Sequence, residues 1–163
     1  QLISGGMTLE EAQEFMQIYH DLPRSEWETY GLSGYDCLDG PVANCVSFSK
    51  YFINKYTTVH VDGVGNGGDV ADSLINNYGF EDGGSTPRVY AVFSVHSGSM
   101  MCGSQACGHT GVVLGIDVEN DKIIIGEAGC GMGNGWTDAH EYSLSSFSNG
   151  SYKYAYTDSV LKL

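Results

Sequence analysis

The sequence predicts an α+β domain, with helices first and an antiparallel β-sheet after them. Apolar residues recur at helical spacing in three segments between Thr8 and Gly79. Four segments rich in Val, Ile and aromatic residues follow from Arg88 onward, without interleaved helices, so an alternating βαβ chain is disfavoured. At 163 residues and 42% hydrophobic content the chain suffices for one buried core.

The first helix is read from TLEEAQEFMQIYH. Thr8 and Glu11 have the spacing of a capping box, and Leu9, Ala12, Phe15, Met16 and Tyr19 share one face, with Pro23 beyond the end. Arg24 to Asn44 is rich in Gly and turn formers and is expected to be an irregular loop. The pattern then changes to CVSFSKYFINKY. Val46, Ser49, Phe52, Ile53 and Tyr56 predict a buried helix from Cys45 to Lys55 with Asn44 as its N-cap. A third, shorter helix is expected from Asp69 to Asn77, closed by Gly79.

The strand segments are RVYAVFSV, HTGVVLGIDVE, KIIIGEAG and YKYAYTDSV, with a tight turn at Asn120-Asp121 between the second and third. Met100 to Gly108 and Cys130 to Tyr142 are Gly-rich and read as loops. There is no internal repeat, linker or low-complexity tail, and the whole is expected to be a single globular unit.

Charge narrows the function classes. Seven Lys and Arg stand against twenty acids, a net charge of −13, so nucleic acid and anionic lipid are poor partners and the acidity serves solubility. No apolar run approaches the roughly 20 residues of a membrane helix, and direct membrane binding is not expected. The opening QLISGGMTLE lacks the features of a signal peptide and an initiator Met, which suggests a domain cut from a longer protein. A composition of 23 Gly and 11 Tyr with few charges is common in extracellular bacterial proteins.

The chain holds five cysteines, an odd number. In a secreted domain that suggests paired disulfides and one free thiol; in a cytosolic one, five reduced thiols. There is no C-x2-C pair and the five His are scattered, so zinc is not expected. A helix N-terminus favours thiolate through its dipole and unpaired N–H groups, and Cys45 stands where a helix begins. Cys37 is followed by Leu-Asp-Gly-Pro, across which no helix forms.

A nucleophilic Cys requires a His to take its proton and a third group to orient the His. His109 heads the apolar strand GHTGVVLGI, and Glu127 ends the apolar run KIIIGEAG on the neighbouring strand. A register taken from the Asn120-Asp121 turn alone would face His109 with about residue 132, so bringing Glu127 to His109 requires a bulge or a longer loop. Singly these are ordinary features: an inert helix-leading Cys, a hydrogen-bonded strand His, a solvated carboxylate. The ordered set of Cys on a helix, then His and Glu on adjacent strands, is far more informative.

With these residues in place, the sequence resembles the CHAP family, the cysteine- and histidine-dependent amidohydrolases and peptidases related to NlpC-type peptidases and papain. ANCVSFSKYFINKY looks like the nucleophile helix and GNGGDVADSL like the family's Gly-Asn segment. TPRVYAVFSV, GHTGVVLGI and IIIGEAG resemble the strand before the histidine, the histidine strand and the strand of the third residue. The resemblance covers about Gly34 to the C-terminus. It implies a papain-like fold, N-terminal helices packed on an antiparallel sheet, with 1–33 as an N-terminal helix and lead-in loop and 34–163 as the catalytic domain.

The resemblance further implies Cys45 as nucleophile, His109 as general base and acid, and Glu127 as orienter. The Cys45 N–H would hold the oxyanion, and Asn44, where many members have Gln, would either donate a second bond or only cap the helix. Two departures stand out: Gly129 occupies the place of an Asn two residues after the Glu, and Val70 that of an aromatic residue. Imidazole orientation is then left to Glu127 alone, with Asp138, Glu141 and Asn134 as the next candidates for the third residue. Asp36 and Asp39 do not make a full calcium set, so no metal and no cofactor are expected.

With Cys45 free, the other four cysteines can pair as Cys102–Cys107 with Cys37–Cys130, as Cys37–Cys102 with Cys107–Cys130, or as Cys37–Cys107 with Cys102–Cys130. The activity implied is hydrolysis of an amide bond in bacterial peptidoglycan, by a stem-peptide or cross-bridge endopeptidase or an N-acetylmuramoyl-L-alanine amidase. The setting implied is extracellular or cell-wall associated, bacterial or phage-encoded, in a monomer aided by a separate wall-binding or anchoring module. The competing readings are a catalytically silent wall- or partner-binding domain and a papain-like protease acting on proteins.

Overall fold

A computed structural model of the 163-residue chain describes the backbone of residues 1–32, 44–96, 101–102, 105–131 and 134–163, and the side chains of 1–32, 44–96, 107–129 and 137–163. The fold is α+β. Helices α1 (Leu9–His20), α2 (Arg24–Trp27), α3 (Cys45–Tyr56) and α4 (Val70–Tyr78) join a sheet built from β1 (Gly5–Gly6), β2 (Glu81–Asp82), β3 (Val92–Val95), β6 (His109–Asp117), β7 (Lys122–Gly131), β8 (Asn134–Ser143) and β9 (Tyr152–Tyr156). A separate two-stranded hairpin joins β4 (Met101–Cys102) to β5 (Gln105–Ala106). The strand order is β2-β9-β3-β6-β7-β8, all antiparallel, with β1 also paired to β6.

The helix signals hold for local reasons. Thr8 and Glu11 form the reciprocal capping box of α1, and Ala12, Met16 and Tyr19 turn one stripe into the core. Asn44 caps α3, its Oδ1 accepting from the Val46 N–H at 2.8 Å and the Ser47 N–H at 3.3 Å. Gly79 closes α4 in the left-handed conformation, at φ 76°. A 3-10 turn, Gly67–Asp69, precedes α4.

Four expectations are corrected. The loop expected from Arg24 opens with α2 and a 3-10 turn, Glu28–Tyr30, against which the Trp27 indole donates to Leu22 O at 3.2 Å. The strand expected over RVYAVFSV is confined to Val92–Val95, because Tyr90 adopts φ 69° and the Ala91 N–H turns back to Arg88 O. The expected loop of Met100 to Gly108 contains the β4–β5 hairpin. The expected loop from Cys130 to Tyr142 is largely β8, which pairs with β7 over its whole length. Its Asp, His and Glu residues are poor strand formers, and ten consecutive pairings with β7 override that preference.

The sheet separates two cores. On one face α1, α3 and α4 pack Phe48, Phe52, Met16 and Leu74 against Val92, Val112, Leu114 and Ala128. On the other, Phe93, Val113, Ile123, Ile125 and Tyr154 meet Leu144 and Phe147 of a closing 3-10 turn, Leu144–Phe147. A chain of hydroxyls pins α3 to the sheet. Thr110 Oγ1 donates to Phe93 O at 2.7 Å, so its one proton is used and Ser49 Oγ must donate to it at 2.9 Å.

The entry to β6 is fixed by contact between glycines. Gly108 sits at φ 77°, and a Cβ there would lie 2.5 Å from Gly68 Cα and 2.6 Å from Val95 O. Gly67 is equally tight, with His109 Cα 2.9 Å from where its Cβ would stand. Gly108→Ala is therefore expected to lower unfolding free energy by about 2–4 kcal/mol, from left-handed strain plus an unavoidable backbone clash. Urea denaturation checks this; a loss under about 0.5 kcal/mol, the range of ordinary surface changes, would mean the segment can part without cost.

Candidate active site

Three elements bring Cys45, His109 and Glu127 together. Cys45 is the first residue of α3, a half-buried free thiol. His109 is the first residue of β6, held from behind by the Gly67–Gly68 segment, with the Gly68 N–H donating to Cys107 O at 2.8 Å. Glu127 lies within β7 and is buried.

The register explains how Glu127 meets His109. Asp117 pairs with Lys122 across the turn, and the Asn120-Asp121 expectation holds in that Asp121 takes the left-handed φ of 53°. The pairing is shorter than the turn alone suggests, and a bulge at Leu114 shifts it once more between Val113 and Gly115. Val112 then faces Gly126, so the next step of the ladder sets Glu127 beside Gly111 and diagonal to His109 on one face. His109 Nε2 donates to Glu127 Oε1 at 2.7 Å.

The other carboxylate oxygen is occupied too. Glu127 Oε2 accepts from His140 Nδ1 at 2.8 Å and from the Tyr142 hydroxyl in a short hydrogen bond. His140 and Tyr142 are spaced by two on β8, on the face shared by Glu127 and its partner Asp138. Neither was among the candidates named from sequence. The signal available was the alternation Asp138, His140, Tyr142, legible only once β8 is known to be a strand beside β7. Of the other candidates for a third residue, Asp138 accepts from the Ala139 N–H and Glu141 pairs with Lys122 at 3.2 Å, while the Asn134 side chain lies outside the described residues.

These contacts set the charges. Burial opposes ionisation of Glu127, but hydrogen bonds from His109 and Tyr142, the His109 charge and the His140 bond outweigh it and hold the carboxyl below its usual range. Burial likewise opposes a charge on His109, yet the Cys45 sulfur and the Glu127 carboxylate both favour it and raise its pKa to about 9. With Nε2 committed to Glu127, Nδ1 is the nitrogen left for the thiol; it is buried and has no formed hydrogen bond. Phe93 packs its ring at 6.0 Å from the imidazole.

The remaining assignments are placed as follows. Cys107 is disulfide-bonded. Cys37, Asp36 and Asp39 lie outside the described residues, as do the side chains of Cys102 and Cys130, so the three pairings stay open. Among the described residues no group of three or more His, Cys, Asp and Glu is arranged to hold a metal ion, and no helix is long and apolar enough to cross a membrane.

Comparison with known proteins gives matches of two kinds. The CHAP domain profile matches residues 35–129. Among solved structures, an N-acetylmuramoyl-L-alanine amidase from Staphylococcus aureus is similar at a TM-score of 0.50 and 15% identity, over 76% of this chain and 34% of that one. The chain thus spans about a third of that structure's length, and the likeness is one of fold. No curated protein matches.

The charge assignments predict a window of pH-dependent stability. His109 has a folded pKa of about 9 against an ordinary value of 6.5, so its contribution is complete below about 6.5 and is lost as pH rises through 9. The depressed Glu127 acts in the opposite sense, contributing above its unfolded pKa and losing that contribution as pH falls through the folded one. The difference in Tm between wild type and His109→Gln should therefore shrink between neutral pH and pH about 9. A difference that is flat with pH would show His109 uncharged in the folded state.

Proposed function

Because this chain belongs to the CHAP family, we propose that it is a cysteine-dependent amidohydrolase that cleaves an amide bond of bacterial peptidoglycan. The observation that supports this best is the ordered triad, with the His109–Glu127 bond at 2.7 Å and Cys45 at the start of a capped helix. A silent binding domain has no use for a buried carboxylate satisfied by three donors and aimed at an imidazole.

In this reading the Cys45 thiolate adds to a peptide or muramoyl amide carbonyl, forming the S–C bond and moving the C=O pair onto oxygen. The Cys45 N–H, at the positive end of α3, stabilises that oxygen. Asn44 spends only Oδ1 on the cap, and its Nδ2 group serves as a second donor. His109 passes its proton to the leaving amine as the C–N bond breaks. It then accepts a proton from the water that cleaves the thioester. Glu127 keeps the imidazole in the Nε2–H tautomer and stabilises the imidazolium.

The same reading places the domain outside the cell or at the wall, as a monomer, with Cys45 free and the other four cysteines in two disulfides. A net charge of −13 gives no attraction to an anionic wall, so a separate wall-binding or anchoring module supplies targeting.

Cys45→Ala and His109→Ala should each abolish wall hydrolysis, by at least about 10³-fold in kcat, with the fold intact. Glu127→Gln should retain partial activity, reduced by on the order of 10²-fold, because an amide orients the ring without stabilising its charge. Asn44→Ser should keep the cap and lose about tenfold in rate. Turbidity loss of purified peptidoglycan, with mass spectrometry of released muropeptides, reads all four and identifies the bond cut. Near-normal clearing by Cys45→Ala, or digestion of casein but not peptidoglycan, would overturn the proposal.

A further inference from the structure

We propose that Tyr142 of β8 is a positioning residue for the same reaction, its phenol fixing the Glu127 carboxylate against His109; this rests on Cys45 and His109 being the reacting pair. Tyr142 lies beyond residues 35–129, so the family likeness assigns it nothing.

Its hydroxyl turns inward rather than to solvent. Tyr142 is 38% exposed, and the hydroxyl of a partly exposed ring is readily satisfied by water. Here it donates a short hydrogen bond to Oε2 of a carboxylate that is itself 5% exposed. Packing does not require the hydroxyl. The ring lies tilted against Phe147 at 5.1 Å and edge-on to His140 at 6.1 Å, contacts that a Phe would make equally well. Those contacts do fix where the phenol oxygen stands.

The two donors on Oε2 are not equivalent. His140 donates from Nδ1 only in a state that carries the proton there, whereas a phenol facing a carboxylate always donates. Burial, then the hydrogen bond and the negative charge of Glu127, push the Tyr142 phenol far above its ordinary range, so it stays a neutral donor throughout the working range.

Among the described residues, the other groups around Glu127 do not replace it. Asp138 stands directly opposite on β8, exposed, with Oδ1 accepting from the Ala139 N–H, and a second carboxylate opposes ionisation of the first. Tyr152 of β9 feels the Glu127 charge, which together with burial raises its phenol, but is not among the three donors. The 3-10 turn Leu144–Phe147 brings no titratable group. With Oε2 held by Tyr142, the carboxylate keeps Oε1 on His109 Nε2 at 2.7 Å. Without that donor the anion is less favoured, and its hold on a protonated imidazole weakens.

Tyr142→Phe removes the hydroxyl and keeps the ring. NMR of the His109 ring nitrogens, assigned by their loss in His109→Gln, should show a titration near pH 9 in wild type and one lower by at least about half a pH unit in Tyr142→Phe. Peptidoglycan clearing by the variant should fall about tenfold at neutral pH, with its alkaline limb displaced in the same direction. Added to Glu127→Gln, Tyr142→Phe should change clearing by less than about twofold, because the phenol acts through the carboxylate. An unmoved His109 titration overturns the proposal, and with a lowered Tm it assigns the hydroxyl to stability alone. A full further loss in the Glu127→Gln background overturns it as well, since the phenol would then act on something other than Glu127. Wild-type protein that fails to clear walls, while His109 still shifts in Tyr142→Phe, refutes the peptidoglycan reading and leaves the positioning role standing.

Discussion

A carboxylate 5% exposed within a β-sheet is stable as an anion only when both of its oxygens are hydrogen-bonded, and Glu127 meets that condition with three donors. Much of the site's construction serves this one group. The β6–β7 bulge at Leu114 sets the diagonal that joins it to His109, and ten regular pairings of β7 with β8 bring His140 and Tyr142 to its far oxygen. Gly129, two residues beyond Glu127, has no side chain to offer, and His140 and Tyr142 of β8 hold the carboxylate from its far side. The Glu127 charge then holds a proton on His109, and that imidazolium faces the start of α3.

This arrangement of Cys45, His109 and Glu127 keeps its geometry only if the helix and sheet cannot drift. Ser49 lies one turn after Cys45 and Thr110 one residue after His109, so their bond ties Cys45 and His109 at nearly the same level of the fold. From the other side, Ser94 Oγ accepts from the Ala71 N–H and donates to Gly67 O, both at 2.8 Å, pressing the glycine segment against the first residue of β6. Two glycines of GNGGDVADSL are thus explained by close contact: a side chain at Gly67 would displace the His109 backbone, and one at Gly68 would meet the His96 ring.

Much of this was legible in the sequence because it depends on short-range signals. The capping box at Thr8, the Asn44 cap, the Gly79 stop and the apolar strands of β6 and β7 each follow from a few adjacent residues, and so did the order Cys45, His109, Glu127. The register was not, because a two-residue turn does not report a bulge seven residues away. β8 was hidden for a related reason. Its Asp, His and Glu residues look solvated in isolation and become a strand only through pairing with β7. His140 and Tyr142 were lost with it.

The most direct measurement is the pH dependence of Cys45 alkylation by iodoacetamide in wild-type protein and His109→Ala, with peptide mapping of the label. The wild type is expected to react at Cys45 even at mildly acidic pH, where an isolated thiol is protonated, and His109→Ala is expected to lose that reactivity. Equal profiles in the two proteins, or label on Cys37 in place of Cys45, would contradict a coupled Cys45–His109–Glu127 unit.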